Sequence, residues 1–275
     1  MADSKLPDEI SGWRGQTILG ARSRGGTFAA RDWRDLVLDP AGAIETKAAE
    51  IAGSAARWFA PAALASLTAV DGHYSYVQSI NSEDTVTWAA FGPRASSRAI
   101  GEIVNLAFGL QPRPAEWERL YWQRWPHPHT RRTTSGPEPD VTLRADDGWG
   151  YVVEAKWAAK LDASQGKGGG LTQLEMRTHV ARTLTADARK RGVLVIVPSP
   201  ARYPYARRGT FAEYFAVEED HYVPRDLARA QEARALTWEQ IVDVLARIDG
   251  RSELTDYLAW RIAWLPSRTT SARRR

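Results

Sequence analysis

PDVTLRADDGWGYVVEAKW, residues 139–157, reads as a β-hairpin. Val141 and Leu143 alternate with polar residues, Asp146-Asp147-Gly148 supplies a turn, and Tyr151-Val152-Val153 enters a returning strand. Asp140 stands at the start of the first strand, and Glu154 and Lys156 close the second. Side chains two apart on a strand share a face, so Glu154 and Lys156 point the same way. Two carboxylates and an ammonium at one spot can bind a divalent cation and activate water. The Ala155 carbonyl offers a third oxygen. Phosphodiester hydrolysis needs this combination: hard oxygen ligands for a metal, a polarised phosphate, and a cation to offset the charge on the leaving oxygen.

Outward from the hairpin, the chain alternates helical and extended patterns. Residues 1–27 are polar and Gly-rich and read as a flexible terminus. Residues 28–80 read as helical, with Ile44, Ala48, Ile51, Ala52, Ala55 and Phe59 at helical spacing and Pro61 opening a second helix. Ser82 is placed to N-cap EDTVTWAAF, which Gly92-Pro93 ends. Ser96 or Ser97 starts the next helix, with Ile100, Val104, Ala107 and Phe108 as its stripe, and PAEWERLYW from Pro114 reads as one more. After the hairpin come a Gly-rich loop (SQGKGGG, from Ser164), a long helix over 171–189, a short buried strand (VLVIV, from Val193) and a last helix after Thr237. The order predicts an α/β fold with a mainly helical N-terminal region, a domain over 81–265 and a basic tail over 266–275.

Composition narrows the chemistry. None of the 275 residues is cysteine, which excludes disulfides, thiolate metal sites and cysteine nucleophiles and suits a reducing cytoplasm. No GxSxG and no GxxxxGK[ST] occurs, so serine-hydrolase and P-loop readings are set aside. No secretory signal is apparent, and the most apolar stretch is too short to span a membrane, so a cytoplasmic location is expected. The net charge of +4 equals the four arginines after Leu265, so the body is charge-balanced. A nucleic-acid surface must therefore come from segregated charge.

Pro139-Asp140 followed by Glu154-Ala155-Lys156 resembles the PD-(D/E)XK nuclease superfamily, which includes many restriction and phage-defence endonucleases. The resemblance implies a restriction-endonuclease-like αβββαβ core and Mg²⁺ as cofactor, with Mn²⁺ as a substitute. It implies metal binding by Asp140, Glu154 and the Ala155 carbonyl, with Lys156 assisting the attacking water. Gln173, at the start of the following helix, matches a glutamine that many members turn toward the site. Upstream, SEDTVTWAAF is similar to a segment of some bacterial restriction or defence families in which an acid at a helix start joins the site. Glu83 would be that acid, with Asp84 beside it and Glu102 and Glu118 as rivals. The resemblance covers roughly Ser82 to Pro198, well under half the chain.

It implies DNA as substrate, with RNA the alternative, and a homo-oligomer or a partner defence protein as company. A non-catalytic DNA-binding or assembly subunit is a rival reading, against which the intact D…ExK argues. Candidate nucleic-acid contacts are Arg131 and Arg132 in HPHTRRTT, and Lys160 and Lys167 around the Gly-rich loop. His127 and His129 are a weak metal signal, and the twelve tryptophans are first of all core.

Overall fold

A computed structural model describes residues 7–21, 27–43, 76–112, 116–157, 159–161, 170–226 and 232–265. The predicted helices between Ile44 and Val70, the Gly-rich loop with Lys167, and the basic tail lie outside the described residues.

The chain begins with three short antiparallel strands, β1 (Glu9–Ser11), β2 (Thr17–Ala21) and β3 (Ala29–Ala30), in the order β1-β2-β3. The described part of the expected loose terminus is thus a folded hairpin. Its reason is apolar: Ile10 and Ile18 pair across the strands and are buried with Phe28, Leu36 and Ile80. A 3-10 turn over Trp33–Leu36 follows, and the described part of 28–80 is extended and 3-10 in character except for residues 40–43, which are helical as expected.

Two helices come next, α1 (Glu83–Phe91) and α2 (Ser97–Phe108). The Ser96 hydroxyl accepts the Ala99 N–H, and Gly109, at φ 67°, ends α2 in the left-handed conformation that glycine tolerates. The expected helix from Pro114 is instead a strand, β4 (Glu118–Tyr121), paired antiparallel with β5 (Val141–Arg144). The hairpin itself forms as read: β5 pairs antiparallel with β6 (Gly150–Ala155) through a turn with Gly148 at φ 87°.

Helix α3 (Gln173–Leu184) opens with a reciprocal capping box between Thr172 and Glu175. It ends earlier than the predicted span and leads into β7 (Arg191–Val197), parallel to β6. A six-residue helix, α4 (Gly209–Tyr214), and the hairpin β8 (Phe215–Glu218) and β9 (His221–Pro224) lie beyond it. Strand β10 (Ala233–Thr237) then adds parallel to β7. The chain closes with the predicted α5 (Trp238–Asp249) and a further helix, α6 (Glu253–Ala263).

The product is a mixed α/β protein around a five-stranded mixed sheet in the order β10-β7-β6-β5-β4. Its central strands are apolar on both faces, as a sheet covered on both sides requires. Val141, Leu143, Tyr151, Val153, Leu194 and Ile196 face a core shared with α1, α2, α5 and α6. The intervening residues Val152, Val193 and Val195 face Leu174, Val180 and Ala181 of α3. Among the described residues, no helix is long and apolar enough to cross a membrane.

Arg261 of α6 links the N-terminal part to the sheet. It is fully buried, and its guanidinium donates to the Ser82 carbonyl at 3.0 Å and the Leu36 carbonyl at 3.4 Å. The same guanidinium lies 5.9 Å from the ring centroids of Trp157 and Tyr257. Arg261→Ala should destabilise the protein by about 3 kcal/mol, from lost packing and two lost buried hydrogen bonds. Urea denaturation measures this; an unchanged midpoint would refute the linking role.

Candidate active site

Register brings the hairpin carboxylates together. Val141 pairs with Val153, so Asp140 and Glu154 are the next pair along the antiparallel ladder. The Ala155 N–H donates to Asp140 Oδ2 at 2.6 Å, which fixes this carboxylate at the end of β6. The Asp140 carbonyl in turn accepts the Trp122 N–H at 3.2 Å, which extends the β4–β5 pairing by one residue.

Glu154 points to the face covered by α3. Gln173 and Arg177, four residues apart on that helix, share a side and meet it. Lys156 Nζ donates to Glu154 Oε1 at 2.6 Å, and Gln173 Nε2 donates to the same oxygen. Arg177 Nε donates to Oε2, while Arg177 Nη2 reaches the Glu138 carbonyl at 3.1 Å. Glu154 is 1% exposed, and Lys156, Gln173 and Arg177 are 8%, 4% and 3% exposed. Arg177 is missing from the sequence-based set; its signal was the i+4 spacing from Gln173.

Glu83 arrives from α1. Its Oε2 accepts the Trp157 N–H at 2.8 Å, just past the end of β6. Trp157 is itself fully buried, edge-on to Trp238 at 5.4 Å, and Trp238 Nε1 donates to the Lys156 carbonyl at 3.1 Å. Asp84 accepts the Trp122 indole N–H at 3.1 Å. The rivals fall elsewhere: Glu102 accepts from Asn105 on its own helix, and Glu118 pairs with Arg144. The structure therefore brings together Glu83, Asp140, Glu154, Lys156 and Gln173, with Asp84 and Arg177 added.

The other candidates stay outside this group. Arg131, Arg132 and Lys160 are exposed on loops. His127 is buried, and its Nδ1 accepts the N–H groups of His129 and Thr130, which makes it the pin of its own loop.

The site has a closed floor and an open rim. Glu154, Lys156, Gln173 and Arg177 form the buried floor, whereas Glu83, Asp84 and Asp140 keep partial access to solvent. Electrostatics follow the same division. Burial alone would raise the Glu154 carboxyl, but Arg177 and Lys156 outweigh it and hold it below the ordinary value. Burial would likewise favour neutral Lys156, yet Glu154, Glu83 and Asp140 keep it an ammonium. Asp140 goes the other way: burial first, then the Glu154 charge, pushes its carboxyl well above the ordinary range. Glu83 is also raised, mainly by burial.

Among the described residues the site thus gathers four carboxylates, Glu83, Asp84, Asp140 and Glu154, around Lys156 and Arg177. Among the described residues, no three metal-binding side chains stand as a ready-made cluster. The donors nevertheless fit a hard divalent cation: they are carboxylate oxygens on a partly open rim. Glu154 also retains acceptor capacity beyond its three bonds. Comparison with family models, with curated proteins and with solved structures returned no significant match.

The two central carboxylates should respond to neutralisation with opposite signs. The folded-state value of Asp140 lies above its unfolded one, so its ionisation costs stability as pH rises past the ordinary carboxylate range. Asp140→Asn should therefore raise the melting temperature at pH 7 in EDTA, with the gain shrinking as pH falls toward about 4. Glu154→Gln should lose about 3–5 kcal/mol, because buried Lys156 and Arg177 both lose the carboxylate they are bonded to. Thermal melts over a pH series compare both variants; shifts of the same sign would contradict this electrostatic account.

Proposed function

We propose that this chain is a divalent-metal-dependent nuclease of the PD-(D/E)XK type acting on DNA. The observation that carries the reading is the convergence of Glu83, Asp140, Glu154, Lys156 and Gln173 from α1, β5, β6 and α3 at one end of the sheet. The order of elements supports it as well. A helix, three antiparallel strands, a helix and a strand parallel to the third succeed one another in α2, β4, β5, β6, α3 and β7. That succession fits the αβββαβ core of the superfamily.

Under this reading the rim residues Asp140 and Glu83 hold Mg²⁺, or Mn²⁺ in its place, with Glu154 and the Ala155 carbonyl completing the oxygen donors. The metal supplies Lewis-acid polarisation of the phosphate and a lowered pKa for bound water. The chain does the rest. Lys156 stays an ammonium, so its part is to orient water and offset charge on the phosphate, not to accept a proton. Arg177 and Gln173 position Glu154, and Trp157 positions Glu83 through its N–H. A role in restriction or phage defence follows from the resemblance.

The purified protein with Mg²⁺ or Mn²⁺ should cleave duplex DNA. Asp140→Ala and Lys156→Ala should each reduce the rate by about 10²–10³-fold while the fold is retained. Parallel assays on duplex DNA, single strands and RNA decide the substrate. Cleavage of RNA alone would replace DNA by RNA in the proposal. No cleavage of any of them, with a cellular effect insensitive to both substitutions, would sink the enzymatic reading.

A further inference from the structure

A second concave site lies at the other end of the sheet. Its volume is about 580 Å³, the size of a small-molecule pocket. Its floor is apolar, with Phe108 and Leu110 at the end of α2 and Gly192 at the start of β7. Its walls carry four arginines from three places: Arg182 on α3, Arg189 and Arg191 leading into β7, and Arg234 on β10. A single acid, Glu232, lines it and pairs with Arg182.

The remaining three guanidinium groups face the cavity without a carboxylate partner among the described residues. Arg191 is held by the Thr185 and Ala186 carbonyls at 2.9 and 3.2 Å, which fixes its position but leaves its charge uncompensated. Arg234 is half-buried, lies 5.7 Å from the Phe108 ring centroid and reaches the Ala233 carbonyl at 3.3 Å. Burial pushes its guanidinium below the ordinary value, and no acid pulls it back. Arg189 is fully at the surface at the mouth. Gly192 lets the Phe108 ring pack directly on the strand, because a Cβ there would stand 2.6 Å from that ring.

Planar, permanently charged donors around a concave apolar floor suit adjacent phosphate groups. A DNA backbone is matched better by an extended surface track than by a single concavity of small-molecule size. We propose that this cavity binds a ligand carrying two or more adjacent phosphates, such as a nucleoside di- or triphosphate. The phosphates lie on Arg189, Arg191 and Arg234, and the organic part lies against Phe108 and Leu110. This binding does not depend on the nuclease reading.

Isothermal titration of the full chain with ATP, pyrophosphate and adenosine tests it. ATP and pyrophosphate should bind, and adenosine should bind at least about tenfold more weakly. Tighter binding of ATP than of pyrophosphate identifies a nucleotide; equal binding identifies a site for the polyphosphate alone, and both support the proposal. Arg189→Glu should weaken ATP at least about tenfold, as should Arg234→Gln, whereas Arg251→Ala at a distant exposed arginine should not. Arg189 is exposed, so its substitution leaves folding intact and keeps the test decisive even if Arg234→Gln unfolds. The proposal is overturned if wild-type protein binds neither ATP nor pyrophosphate, or if Arg189→Glu leaves ATP binding unchanged. It is equally overturned if Arg189→Glu weakens a short DNA duplex and not ATP, since the arginines would then form a DNA track.

Discussion

Burying the Glu154 carboxylate is the constraint around which the rest is arranged. A buried carboxylate is tolerated only when paired and hydrogen-bonded. Glu154 receives three donors from two elements: Lys156 on its own chain segment, and Gln173 and Arg177 from α3. Those bonds fix the rotation of α3 over the sheet, because only one side of a helix can carry residues four apart toward the same point. The apolar contacts of Leu174, Val180 and Ala181 with Val152, Val193 and Val195 agree with that rotation. Packing and ion pairing therefore select the same docking of helix on sheet, which is the consistency expected of a well-specified fold.

The rim obeys different physics. Floor residues pair with one another, two cations on the one carboxylate of Glu154, and contribute to cohesion. Glu83, Asp84 and Asp140 add negative charge, and burial pushes Glu83 and Asp140 toward protonation against the pull of Lys156. The backbone N–H groups of Ala155 and Trp157 hold Asp140 and Glu83 on either side of Lys156. Both N–H groups belong to one short segment, so residues 154–157 set the spacing of the whole site. Anchoring Trp157 beneath Arg261 and against Trp238 makes that segment rigid.

Much of this was legible in the sequence, and the failures have physical causes. The hairpin was readable because the Asp146-Asp147-Gly148 turn lies between the alternating Val141 and Leu143 and the apolar run Tyr151-Val152-Val153. Ser96 and Thr237 marked helix starts because their hydroxyls cap locally. The segment after Pro114 misled because Trp117, Leu120 and Tyr121 stand at i, i+3 and i+4, a helical spacing, while β4 is only four residues long and owes its form to pairing with β5. The N-terminal hairpin was hidden by its glycines; its order comes from distant partners, with Trp13 edge-on to Tyr257 at 4.8 Å and Ser11 accepting from Trp260. Helix α6 had a legible signal, since Leu254, Tyr257, Leu258 and Arg261 form one stripe after a Ser252 cap, but the basic tail drew attention past it. Within the site, Glu83 was separable from Glu102 and Glu118 only in three dimensions, because the choice depends on the Trp157 N–H, seventy-four residues away in the chain.

Helix α3 and strand β7 join the two concave sites. Gln173 and Arg177 grip Glu154, while Ala181 and Arg182, one turn further along the same helix, line the arginine cavity. Strand β7 likewise runs from Arg191 at the cavity to Ile196, whose carbonyl accepts the Lys156 N–H at 2.7 Å. An interior packed to crystal-like density transmits small displacements along such rigid elements. The energetic link between the sites is bounded by how differently a ligand binds two positions of α3, and it is reciprocal. A rotation that loosened Arg177 from Glu154 would expose an uncompensated buried charge, a large cost for a small movement. The Glu154 clamp thus makes α3 stiff toward displacement over the sheet.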